Sequence, residues 1–182
     1  MPLRISHRVE FVSQRHRPLA AYGCGAACLT MLLRFARQPG VPLPDYPALC
    51  GMLRLDTPPK DKGCAHYGNG FGAYPEDIAR CLGTLRFSFR DGIGHPCNST
   101  TAVVKMLRAA PLMMGMGDND EAWGKEGHWI VLVGFNPSTA RFTFLDPWFR
   151  SWEPKHCRSI SRPRLDAEWD RAYVQLLPHG RS

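Results

Sequence analysis

The chain has 182 residues, of which 44% are hydrophobic, 21% charged and 10% aromatic. That length suits one domain (1–182) with a core of its own, and the composition excludes wholesale disorder. Lys and Arg outnumber Asp and Glu by 23 to 16, giving a net charge of +7, but the positives are dispersed and form no basic stripe, so nucleic-acid binding is not expected.

Residues 7–13 (HRVEFVS) read as a short strand, and QRHRPLAAYG as a loop. From Cys24 the pattern changes. CGAACLTMLLRFARQ is a helix candidate, with Cys28, Met31, Leu32 and Phe35 at helical spacing on one face. Residues 26–33 are nearly all apolar, which predicts a helix buried on most sides, ended by Pro39-Gly40. Asp45 to Leu53 reads as a second helix, and 56–74 as a long Gly/Pro-rich loop. Pro75 with Glu76 and Asp77 opens a third helix, to Leu82. LRFSFR alternates like a strand, with Leu85, Phe87 and Phe89 on one face. Ser99 or Thr100 caps a helix through Ala109, and LMMGMG is an apolar strand.

After the polar stretch 118–127, HWIVLVGF is a strong buried strand. NPST turns it into RFTFLDPW, a predicted hairpin. The tail reads as an Arg- and Pro-rich loop, a short helical DAEWDRA and a final strand YVQLLP. Helices followed by a run of strands predict an α+β domain, with a helical half packed on an antiparallel sheet. No run of residues is apolar over membrane-spanning length, and MPLRISHRVEF lacks the apolar segment of a secretory signal. A cytoplasmic location is therefore expected, or export as an effector by a route that needs no such signal. Seven cysteines, an odd count, fit reduced thiols better than a disulfide framework.

One of those thiols is placed for chemistry. Cys24 stands at the first turn of an apolar helix, where the partial positive charge of the helix end favours thiolate. A thiolate needs a base to hold its proton. His128 opens the strand HWIVLVGF, and Asp146 ends the partner strand. Hairpin geometry brings the two to the same end, where a carboxylate on one imidazole nitrogen would leave the other for the thiol. Acyl chemistry also needs oxyanion donors: the backbone N–H of Cys24 is one, and Gln14 is the only Gln or Asn before Cys24. Cys28, one turn on, reads as core. Cys64 with His66, and His156 with Cys157, lack the paired spacing of structural zinc sites, and GNGFG lacks a phosphate-cradle context. No metal or cofactor is therefore expected. Trp123, Trp129 and Trp148 flank the site and read as core packing more than as groove wall, and loops 56–74 and 117–127 are expected to build a substrate groove.

GCGAACLTMLLRF, GHWIVLVGF and FLDPW, in this order, resemble the papain-like bacterial cysteine peptidases. The likeness is nearest to the double-glycine leader peptidases that mature bacteriocins and to their stand-alone and effector relatives. It spans the chain from about Val12 to the last strand. It implies a papain-like fold and attack on an amide or thioester carbonyl. Cys24 would be the nucleophile, His128 the base, Asp146 its orienting partner and Gln14 an oxyanion donor. Gln14 stands further from Cys24 than the family's Gln does, so RHRPLAAYG must bulge or another donor must serve. The expected function is cysteine peptidase action on a peptide or protein substrate through an acyl-enzyme. The alternatives are an acyl or peptidyl transferase, or a secreted effector protease, with the same triad, and a catalytically silent peptide-binding module.

Overall fold

The structure, a computed structural model, describes residues 4–15, 23–37, 41–53, 55, 73–92, 97–117 and 127–177. Its elements in chain order are β1 (Ile5–Ser6), α1 (Cys24–Phe35), α2 (Tyr46–Met52), α3 (Pro75–Thr84), β2 (Phe89–Asp91), α4 (Thr100–Leu107), β3 (Leu112–Met116), β4 (His128–Asn136), β5 (Arg141–Leu145), β6 (Cys157–Ser161), α5 (Arg162–Glu168) and β7 (Trp169–Leu176). The strands form one antiparallel sheet in the order β2-β7-β3-β4-β5-β6, and β1 pairs with the far half of β4.

β4 is the axis of the sheet. Along HWIVLVGFN every residue but the two ends is buried, because helices cover both faces. Trp129, Val131 and Val133 join the core formed with α1, α2 and α3. Ile130, Leu132 and Phe135 join a second core with Val103 and Leu107 of α4 and Leu165 of α5. The period-2 alternation of a strand thus divides the apolar mass into two layers. α1 is buried from Cys24 through Leu33, so its all-round apolar sequence is met by packing on all sides, as expected.

The helix ends follow local chemistry. Asp45 caps α2, accepting from the Ala48 N–H at 2.9 Å, and Ser99 caps α4 through the Ala102 N–H at 3.3 Å. Pro75 lies in the first turn of α3, whose first turn also carries Glu76 and Asp77, the charge sign that suits a helix N-terminus. The β4–β5 hairpin closes with Asn136 opposite Arg141.

Several expected boundaries move. The first strand is Ile5–Ser6, held by Gly134 and Phe135 of β4, and residues 7–13 belong to no strand. α1 stops at Phe35 rather than reaching Gln38. The strand read in LRFSFR starts only at Phe89. α3 runs on to Thr84, Leu85 is its cap, and Arg86 takes a left-handed φ of 58°. The Arg-rich tail contains a strand, β6, against β5. DAEWDRA is split: α5 ends at Glu168, and Trp169 begins β7 by pairing with Met116 of β3. The bulge expected in RHRPLAAYG and most of loops 56–74 and 117–127 lie outside the described residues, as do Cys64, His66 and Trp123.

Candidate active site

Three elements converge at one end of β4. α1 lays its first turn across the start of that strand, where the Cys28 thiol donates to the Trp129 carbonyl at 3.3 Å. This approach needs a residue without a side chain. A Cβ on Gly25 would stand 2.3 Å from the Cβ of Ala73 and 3.4 Å from the Trp129 ring. Ala73 is held there by its carbonyl, which accepts from Trp129 Nε1 at 2.9 Å. Trp129 is therefore core and clamp rather than groove wall, with only 2% of its surface exposed. On the strand side, Gly127 adopts a φ of 72°, a turn open to glycine at no steric cost, and delivers the chain into His128.

Hairpin register does the rest. Leu145 of β5 pairs with Val131 of β4, so the residue after β5 lies beside the residues that open β4. His128 Nε2 donates to Asp146 Oδ1 at 2.8 Å. Both side chains are nearly buried, at 11% and 4% exposure. With Nε2 so engaged, Nδ1 remains for the thiol, and the His128 side chain is hydrogen-bonded to Cys24. Cys24, His128 and Asp146 are thus brought together.

The electrostatics favour an ion pair. Burial alone pushes the Cys24 thiol up. The hydrogen bond and charge of His128, with backbone hydrogen bonds from Trp129 and Gly25, outweigh it, and the thiol ends below its ordinary value. Burial alone pulls His128 down. Its bonds to Asp146 and to Cys24, and the negative charge of both, raise it instead to about 10. Cys28 has no such support, and burial, followed by the charges of Cys24 and Asp146, pushes its thiol well above the ordinary range. Two thiols one helical turn apart therefore differ sharply in ionisation.

Gln14 is also drawn into this region. It is buried, its backbone N–H donates to the carbonyl of Pro147 at 2.8 Å, and its own carbonyl accepts from the Tyr46 hydroxyl at 3.4 Å. Tyr46 in turn lies within the electrostatic reach of Cys24. Two contacts on Asp146 were not anticipated from the sequence. The Trp148 N–H donates to Oδ1 at 3.1 Å, and Arg158 Nη1 approaches Oδ2 at 3.4 Å. Arg158 sits on β6 with its guanidinium over the rings of Phe144 and Phe149. Only recognition of CRSIS as a strand, aligned by the Arg158–Phe144 pairing, could have found it. Trp148 is not buried but 46% exposed, and Arg15 stacks on its ring.

Among the described residues no group of three His, Cys, Asp or Glu side chains is placed to hold a metal ion. No helix among them is long and apolar enough to cross a membrane.

Solved structures share this architecture. A protein described as a C39-like peptidase from Bacillus anthracis aligns with a TM-score of 0.67 at 16% identity, over 97% of this chain and 98% of its own. The peptidase domain of Streptococcus ComA, a bi-functional ABC transporter, aligns at 0.61 and 16% identity, over 94% and 100%. A double-glycine motif protease from an AMS/PCAT transporter, solved with a leader peptide, aligns at 0.55 and 14% identity, over 97% and 99%. At these identities the likeness shows the fold, the papain-like α+β arrangement that the sequence predicted. The search of curated proteins found no match. The Peptidase_C39 like family, however, matches residues 6–175, nearly the whole chain. By that match the chain belongs to the C39-like family of cysteine peptidases.

Proposed function

We propose that the protein cleaves a peptide bond through a Cys24–His128–Asp146 triad and a covalent acyl-enzyme. One observation carries the reading: a single imidazole, that of His128, is hydrogen-bonded to the Asp146 carboxylate at 2.8 Å and to the Cys24 thiol on its other side. The Cys24 thiolate attacks the carbonyl carbon, and a C–S bond forms as the carbonyl π electrons move onto oxygen. The backbone N–H of Cys24, with Gln14 as a second donor, meets that oxyanion. Imidazolium of His128 gives its proton to the amide nitrogen, the C–N bond breaks and the amine leaves. Water then attacks the thioester, His128 accepts its proton, and the C–S bond breaks to release the acid. Asp146 keeps the imidazole in the orientation both proton transfers need. A peptide substrate agrees with the leader peptide bound by one structural relative.

The test is alkylation of each cysteine by iodoacetamide, followed by peptide mass mapping, from about pH 5 to about pH 9. Cys24 is expected to react fastest, already below neutral pH, and to lose that advantage in His128→Ala. Equal reactivity among the thiols, or a Cys24 rate that rises only at the pH of an ordinary thiol, refutes the pairing.

A further inference from the structure

Next to this site the segment 11–15 and the turn after Asp146 enclose an open cleft of about 420 Å³, within the range of ligand-binding clefts. Its apolar wall is formed by Phe11 and Trp152, its charge comes from Arg15, Arg34 and Arg150, and no carboxylate is among its lining residues. Trp152 is 71% exposed, and the Arg150 guanidinium stands 5.1 Å above its ring. Arg15 stacks likewise on Trp148 at 5.3 Å. Stacking holds each guanidinium in place with donors to spare.

The wall of the cleft is tied to the chain beside the site. Ser13 Oγ and the Gln14 N–H both donate to the carbonyl of Pro147, the residue after Asp146. Two carboxylates lie near the arginines: Glu153 is 3.8 Å from Arg15, and Glu10 pairs with Arg34. The Glu10–Arg34 pair is exposed and the Glu153–Arg15 pair part-exposed, with Glu153 Oε1 also accepting from the Arg150 backbone N–H at 3.1 Å; such pairs contribute little to stability, so an incoming carboxylate can compete for the guanidinium groups. Arg150 forms no ion pair among the described residues.

We propose that this cleft recognises a segment of the substrate in which an acidic side chain lies beside an apolar one. The carboxylate is taken by Arg150 and Arg34, and the apolar neighbour lies against Trp152 and Phe11, so the substrates are acidic–apolar peptides. The proposal rests on the peptidase reading for what is cleaved, but not for what is bound.

The two are tested apart. Binding is measured by fluorescence anisotropy on the full chain carrying Cys24→Ala, so that no probe is cut. The probes are dye-labelled synthetic peptides of alternating Glu and Leu, and the same peptides with Gln or Lys for Glu. The Glu peptide is expected to bind about tenfold tighter than the Gln peptide at low salt, with the gap closing as salt rises. Arg150→Gln and Trp152→Ala, both on exposed side chains, are each expected to weaken it severalfold. Absence of binding, equal affinity for the Glu and Gln peptides, or full affinity in both variants overturns the cleft. Iodoacetamide reactivity of Cys24, measured in Arg150→Gln with the native thiol, is expected to match the unmodified chain; its value reports on the peptidase reading alone.

Discussion

Gly25→Ala sets two effects of opposite sign against each other. In a helix Ala is favoured over Gly by about 1 kcal/mol, so helix propensity predicts a more stable protein. The added methyl, however, would stand 2.3 Å from the Ala73 Cβ and 3.5 Å from its Cα. Carbon atoms in contact sit about 3.5–4.0 Å apart, so Ala73 must retreat by roughly 1.2–1.7 Å. It cannot do so freely, because its carbonyl holds Trp129 Nε1. Overpacking of this kind costs about 1–3 kcal/mol. With the propensity gain subtracted, the net is a loss of about 0–2 kcal/mol. In a chain of this size that lowers Tm by up to about 8 °C. Because the displaced residues flank Cys24, its alkylation rate near neutral pH is expected to fall as well. Differential scanning calorimetry and the iodoacetamide assay read the two effects on one sample. A Tm that rises by a few degrees with Cys24 reactivity intact would refute the packing of Ala73 on α1.

Replacing Asp146 by Asn keeps a hydrogen-bond acceptor beside His128 and removes the charge. His128 then falls from about 10, and an NMR titration of its imidazole is expected to show the loss of its proton moved to lower pH; an unchanged titration would show that the carboxylate charge is idle. Arg158→Ala is expected to change stability by no more than about 1 kcal/mol, since the pair is part-exposed. It should lower kcat severalfold at constant KM by freeing the Asp146 carboxylate, with partial recovery in Arg158→Lys; a change confined to Tm would make Arg158 merely structural. Between the ordinary thiol value of 9.0 and about 10, the folded Cys24–His128 pair still holds one proton that the unfolded chain has lost. The pair's contribution to stability must therefore fall by about 1.4 kcal/mol per pH unit across that window. Denaturant titrations of the unmodified protein and of a Cys24→Ala/His128→Ala double variant, which carries neither proton, should converge there as pH rises, and parallel curves would contradict the ion pair.

The parts of the fold legible in the sequence are those where one pattern dominates. An apolar run opened by Gly23-Cys24 can only be a buried helix, and HWIVLVGF between turn residues can only be a central strand. Once those two were placed, so were Cys24 and His128, and hairpin logic supplied Asp146. β6 was hidden because it is an edge strand in which only Ile160 is buried, so no alternation marks it, and Arg158 was hidden with it. DAEWDRA has helical composition, yet the pairing of Trp169 with Met116 turns its second half into strand, a tertiary choice that overrides local preference. The contact of Gly25 with Ala73 joins residues far apart in sequence, and neither shows a sign of the other.

The sheet also acts as a partition. All the chemistry proposed here lies toward α1, while Ile130, Leu132 and Phe142 pack on the opposite side with α4 and α5. That reverse layer can be rebuilt without contact with a reacting atom. A repacking library confined to it would raise or lower the melting point of the scaffold independently of turnover, which makes it the place to engineer robustness.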